Sequence, residues 1–242
     1  VRARSFALMH SDLLPSLDFT ENREGLYSCR RNDPGNWTGG RVGRGSLVGT
    51  MRGISAPEMA GWLGDPSRVT AAVMQGIDQT QYRQIAQSRY WNPLWCDRLP
   101  AGVDLMMFDY GFNAGVHGAL TVLASIYGSL DRTDVMTEQL LSRVLDVPEI
   151  VVSRMISGDF ANDLQRYLGV PIDGVVGPIT LTAIAKLRGE DLLTIYALAC
   201  AQAAAYRQMP GFRIEGDGWL ARLWARVEMA RVWARENERA AS

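Results

Sequence analysis

The sequence predicts a mainly α-helical protein: a lysozyme-like helical domain followed by a small helical one. Two observations give the helical class, and a third gives the place to look for function. Apolar residues recur at helical spacing through most of the chain, and no stretch alternates apolar and polar residues as a half-buried strand would. One long segment, residues 30–53, is rich in Gly and Asn and has almost no apolar periodicity. That is too long for an ordinary connection, and long loops in compact domains usually serve function.

The elements follow in order. Residues 6–22 place Phe6, Leu8, Met9, Leu13, Leu14 and Leu17 at helical spacing, with Pro15 as a kink or a fresh start. After the loop, Ser55 and Glu58 have the spacing of a capping box and open the next helix. Asp65-Pro66-Ser67 restarts a helix through about Gly76, and residues 78–91 form another. Asn92-Pro93 and Leu99-Pro100-Ala101-Gly102 punctuate the chain. Residues 103–116 are apolar nearly all round, which predicts a buried central helix. Helices at 119–127 and 135–145 close the first domain. A second unit starts near Pro148, with a helix over 149–167, a turn cluster from Gly169 to Pro178 and a short helix over 179–186. Two long helices follow, at 191–208 and 218–237. The expected domains are 1–145 and 146–242.

Composition narrows the function. With 47 % hydrophobic and 21 % charged residues, a well-filled core is available. A net charge of −1 argues against nucleic acid as a partner. Three cysteines without a CxxC pair suggest neither a zinc ribbon nor a disulfide framework, and His10 and His117 are far apart. No metal and no cofactor are expected. The apolar run near the N-terminus is too short for a signal peptide or a membrane span. A chain made in the cytoplasm, acting as a monomer, is the expectation.

The opening candidate for chemistry is Glu24. It follows an apolar helix and precedes Gly25 and the long loop. Partial burial there raises a carboxyl pKa and suits a general acid. Asp33 lies downstream, and two carboxyl groups are the minimum for glycosidic hydrolysis. The plain alternative is a solvated helix end and a turn aspartate.

Motifs in a fixed order favour the first reading. Glu24-Gly25-Leu26-Tyr27, Asp33-Pro34-Gly35 and Thr50-Met51-Arg52-Gly53-Ile54-Ser55 are followed by Tyr90-Trp91, Leu99-Pro100, Phe108-Asp109-Tyr110 and Asn113-Ala114-Gly115. Together they resemble the family-108 glycoside hydrolases, the phage endolysin N-acetylmuramidases and secretion-activator proteins. Leu164-Gln165, Leu168-Gly169-Val170, Asp173-Gly174, Gly177-Pro178, Thr180 and the closing Gly218-Trp219-Leu220-Ala221-Arg222 resemble the peptidoglycan-binding domain often fused to them. The resemblance implies a muramidase that cuts the β-1,4 bond between N-acetylmuramic acid and N-acetylglucosamine. It sets Glu24 at the family's catalytic acid, with Asp33 and Thr50 resembling the Glu-Asp-Thr arrangement of phage-type lysozymes. Leu26 stands at the family's second glycine. The insertion before Thr50 brings its own Thr38, which is the runner-up for the threonine role. The implied setting is bacterial peptidoglycan, reached through a holin pore or a phage particle, and a periplasmic site of action.

Tyr27, Trp37, Tyr90 and Asn113 are the candidate sugar contacts. Arg41 and Arg44 either line the cleft with Trp37 or are simply solvated. Asp109 and Asn113 share a helix face. For Asp109 the buried structural role is favoured; for Asn113 the two readings balance. In the second unit, Asp173 and the glycines read as turn formers. The last helix carries Arg222, Arg226, Arg231 and Arg235 beside Trp219, Trp224 and Trp233. Contact with an anionic membrane is one reading, and packing of an aromatic stripe on the domain is the favoured one. Two rivals complete the set. One is a Cys29 peptidase with His117 as base but without a clear orienting acid. The other is a non-catalytic wall-binding or virion tail component with a decayed muramidase domain.

Overall fold

The computed structural model describes residues 12–127, 134–145, 155–186 and 190–240. Parts of two expected helices, residues 6–11 and 149–154, lie outside the described residues. Among the described residues the chain is helical, with isolated β-bridges and no strand. It forms two compact units: residues 14–89, and residues 90–242 together with 1–13. Compactness therefore changes at Arg89/Tyr90, and the expected seam at residue 145 does not separate the units.

The first unit opens with α1 (Leu13–Glu21), which carries Pro15 in its first turn, where no N–H is needed. Leu17 and Phe19 are buried, and the Tyr82 hydroxyl donates to the Leu17 carbonyl at 3.2 Å. α2 (Ala56–Leu63) starts at Ser55, whose hydroxyl accepts from the Glu58 N–H, and stops at Gly64 with φ 69°. The Glu58 carboxylate lies 3.3 Å from the Arg89 guanidinium. The single helix expected from Asp65 to Gly76 is broken in two. Asp65 caps a 3-10 turn, Pro66–Arg68, and Thr70 caps α3 (Ala71–Gln75). Between the caps Val69 is extended and buried, so core packing at one residue overrides helical propensity. α4 (Gln79–Ala86) is capped by Asp78 and runs into a π-helical turn, Gln87–Trp91.

The second unit is built on α5 (Val103–Ile126). Every side chain from Val103 to Phe112 is buried, as the all-round apolar pattern predicts. Gly115, at φ 81° and ψ 156°, breaks the helix between its two expected halves. Trp91 is fully buried, packs edge-on to Phe108 and donates its indole N–H to Asp97 at 2.8 Å. α6 (Glu138–Leu145) buries Leu140, Leu141 and Val144, and its Glu138 takes a bidentate pair from Arg98 at 2.6 and 2.8 Å. α7 (Gly158–Leu168), α8 (Pro178–Lys186), α9 (Glu190–Gln208) and α10 (Phe212–Ala240) complete the chain.

α5 packs on both α9 and α10. Small buried residues (Ala197, Ala199, Ala203) line α9, and such residues let helices approach closely. Gly102, at φ 83°, would set a Cβ only 2.2 Å from the Ala230 carbonyl oxygen, so glycine is obligatory there. The fully buried Asp109 carboxylate faces two cations from α10: Arg222 at 2.6 Å and Arg226 at 2.9 Å. Arg226 also donates to Gln202 at 2.7 Å and to the Tyr206 hydroxyl at 3.2 Å. Gln202 in turn donates to the Met106 carbonyl at 2.9 Å. The favoured structural reading of Asp109 matches this arrangement. So does an inward-packed last helix, since Arg226 is fully buried and Arg231 and Arg235 lie over the Tyr167 ring.

Asp104 is also buried. Its Oδ1 accepts from the Gly102 and Leu105 N–H groups at 2.8 and 2.6 Å, with the Asp12 carboxyl beside it. Burial, and then the Asp12 charge, hold the Asp104 carboxyl well above the usual carboxylate range. A raised carboxyl pKa stabilises the fold fully below the unfolded value, about 3.9, and that contribution is lost as pH rises through the folded value. The amide introduced by Asp104→Asn would donate to Asp12 at any pH. That variant is therefore expected to be more stable than wild type at pH 7. The gain should shrink toward pH 4 in urea melts.

Candidate functional site

The candidate acid sits where α1 unwinds. The Arg23 and Glu24 N–H groups bond back to the Thr20 and Glu21 carbonyls at 2.9 and 3.1 Å, closing a tight final turn. Glu24 is half-buried in that turn. A Cβ on Gly25 would meet nothing within 4 Å, so the side past Glu24 is open. Leu26 is 70 % exposed and has no positive φ, so a large residue at the family's glycine position strains nothing.

The next residues are locked to the far end of the loop. Ser28 and Thr50 exchange backbone hydrogen bonds at 2.9 and 2.8 Å as an antiparallel bridge. The Tyr27 ring lies against Gly49, where φ is 89° and a Cβ would stand 2.6 Å from the ring. Its hydroxyl donates to the Val48 carbonyl at 3.0 Å. Partial burial, and then the neighbouring Cys29 thiol, raise the Tyr27 phenol above its ordinary range. Tyr27 thus fixes the bridge that carries Thr50.

A tight turn follows. Met51 and Ile54 pair across Arg52 and Gly53, which have φ of 51° and 76°. Two positive φ values in a two-residue connection match a primed turn, which explains the Gly of the Thr-x-x-Gly-Ile motif. Arg52 is strained for a non-glycine residue, and two contacts hold it there. Its guanidinium pairs with Glu21 and donates from Nε to the Ile77 carbonyl at 3.2 Å. Gln79 donates to the other Glu21 oxygen at 3.0 Å. The sequence reading missed this clamp. Its one signal was an acid a helical turn before Glu24, with an arginine inside the downstream motif.

Asp33, Gly35 and Thr50 converge. Asp33 Oδ1 accepts from the Gly35 N–H at 2.8 Å, and the Thr50 hydroxyl donates to the Gly35 carbonyl at 3.3 Å. Both side-chain oxygens lie within 4 Å of the point where a Gly35 Cβ would stand, at 3.2 and 3.8 Å. Asp33 is exposed and Thr50 half-buried. Thr38 has a different environment. It is 8 % exposed, and its hydroxyl accepts from the Ser46 N–H at 2.9 Å, stitching the inserted loop. Trp37 is half-buried, with its indole N–H donating to the Arg31 carbonyl at 2.9 Å.

The remaining candidates belong to the other unit. Tyr90 packs on Phe112, ring centroids 4.9 Å apart. Asn113 is exposed just before the Gly115 break. His117 Nδ1 lies 2.6 Å from Asp134, so that histidine does have an acid beside it, contrary to expectation; both side chains are well exposed. Near the C-terminus, Gln165 is nearly fully buried and binds Asp173, Gly174, Val175 and Thr180 at 2.6 to 3.2 Å. Those motif residues knit their own turn. The Gln165 amide, and then the Val175 N–H, hold the Asp173 carboxyl below its ordinary range. Among the described residues no cluster of His, Cys, Asp or Glu could hold a metal ion.

The family described as Glycosyl hydrolase 108 matches residues 17–115. The matched stretch is similar to that family. It contains Glu24, Asp33, Thr50 and the clamp around Arg52, as well as α5 up to its break. The structure of Brucella abortus SagA is similar over 92 % of this chain and 95 % of that one, with 24 % identity and a TM-score of 0.53. It shares the fold, including the C-terminal helices. No curated protein matches the chain in sequence.

Gly49→Ala tests the scaffold under Thr50. A left-handed residue with a Cβ in the Tyr27 ring is expected to cost about 2 kcal/mol or more. Hydrogen exchange should show the Ser28 and Thr50 amides losing protection first.

Proposed function

We propose that the protein hydrolyses the β-1,4 bond between N-acetylmuramic acid and N-acetylglucosamine, with Glu24 as the general acid. One observation carries the residue assignment. Asp33 and Thr50 converge on Gly35, on a segment bridged to the chain four residues past Glu24. A helix end supplies the acid, and a rigid loop supplies a carboxylate and a hydroxyl.

The chemistry follows from donor and acceptor capacity. Glu24 protonates the leaving glycosidic oxygen as the bond breaks. The Thr50 hydroxyl already donates to the Gly35 carbonyl, which leaves its lone pairs to accept from a water. Asp33 Oδ2 has no partner among the described residues and serves as the acceptor for that water's second proton. Water held between them attacks the anomeric carbon. Thr38 is spent on the loop, which favours Thr50 over it. Tyr27 is better read as a pillar of the site than as a sugar contact. Trp37, fixed along one edge, offers its ring for stacking on a pyranose face. The C-terminal segment is proposed to contact the wall.

Digestion of purified sacculi with mass spectrometry of the products tests this. Wild type should release muropeptides with reducing N-acetylmuramic acid, and Glu24→Gln should fall by about 10²–10⁴-fold. Binding without any cleavage by wild type would mean a wall-binding protein instead. Free peptides beside intact glycan strands would move the chemistry to Cys29. A second comparison separates the two threonines. Thr50→Val should keep the melting temperature within a few degrees and lower turnover by about 10²-fold. Thr38→Val should do the reverse, lowering stability by about 1 kcal/mol at near-normal turnover.

A further inference from the structure

Residues 30–53 contain five arginines (Arg30, Arg31, Arg41, Arg44, Arg52) and one acid, Asp33, in a chain whose net charge is −1. Arg52 is consumed by Glu21. The other four are exposed, and none has a carboxylate partner among the described residues. Solvated arginines on a floppy loop would mean little, but this loop is built. Asn36 Nδ2 donates to the Arg30 carbonyl at 3.0 Å, and the Trp37 indole donates to the Arg31 carbonyl at 2.9 Å. The Gly39 N–H donates to the Arg44 carbonyl at 3.1 Å, and the Arg44 N–H to the Arg41 carbonyl at 3.0 Å. The Arg44 stem lies where a Gly39 Cβ would stand, 2.6 Å from its Cγ. The loop's polar side chains thus turn inward to fix the arginine backbones. The guanidinium groups are left as its outward charge, starting two residues from Asp33.

We infer that this arginine loop binds the carboxylates of the peptide stems on the glycan strand being cut. The inference rests on the proposed peptidoglycan reaction and adds a substrate preference to it: strands that still carry ionised stems. Stem peptides branch from the same sugars that enter the site and present several carboxylates. Guanidinium groups match carboxylates bidentately and stay charged at every working pH. Spaced single carboxylates suit four guanidiniums spread over two turns of one loop.

The test compares native sacculi with sacculi whose stem carboxylates have been capped as methylamides. Co-sedimentation of the Glu24→Gln protein reads binding without turnover. Capping, or the pair Arg41→Gln/Arg44→Gln, should each weaken binding roughly ten-fold, with little further loss when combined. Arg41→Lys/Arg44→Lys should recover part of it, and rising salt should erase the difference. Equal binding to native and capped sacculi would overturn the inference. So would equally tight binding to duplex DNA or to phosphatidylglycerol vesicles, which would mark a general polyanion surface. Wild-type cleavage separates the two claims. Stem-dependent binding without strand cleavage removes the hydrolase reading alone. Cleavage at equal rates with equal binding on native and capped strands removes the stem reading alone.

Discussion

A single buried carboxylate organises the larger part of this molecule. Asp109 has no exposed surface and stands against Arg222 and Arg226, themselves nearly or fully buried. Taking three charges out of water is expensive, and the geometry must compensate for it. Gln202, the Tyr206 hydroxyl and the face of Tyr110 occupy the remaining sides of Arg226. Removing Asp109 would leave two guanidinium charges uncompensated against an apolar interior. The ion pair therefore specifies which turn of α10 meets which turn of α5, more than it adds stability. With Gly102 against the Ala230 carbonyl, it fixes the helix approach at two points.

A second, smaller electrostatic anchor works in the unit that carries the candidate acid. Glu21 receives Arg52 and Gln79, and Arg52 in turn is held in a backbone conformation that glycine prefers. The loop end, the helix end and the segment around Ile77 are thereby tied within one turn of Glu24. A rigid frame of this kind lets an exposed aspartate and a threonine keep their positions without a large core beneath them.

How much of this was legible in the sequence depended on range. The helical class, the all-round apolar helix at 103–116 and its break near 115 follow from local periodicity and a glycine. The acid at a helix end and the glycine of the tight turn were visible as motif positions. The division of the chain was not. It depends on Asp109 meeting residues more than a hundred positions away, and no local pattern encodes that pairing. The split of the 65–76 helix was missed because Val69 packs in the core as extended chain between two caps. The acid beside His117 was missed because Asp134 lies well outside the local sequence window around it. Thr50 was preferred to Thr38 because Gly53-Ile54 follows it, but the different hydrogen bonds of the two hydroxyls were not legible.

The packing of α5 on α9 and α10 bears on how such chains recombine. Wall hydrolases are commonly imagined as cassettes, a cutter and an anchor that can be traded independently. Here the last two helices complete the interior of a segment whose first half lies in the glycosyl hydrolase 108 match. A crossover at residue 145 would hand the new partner a bare apolar helix and a stranded aspartate. Shuffling that respects this packing must carry α9 and α10 along with α5.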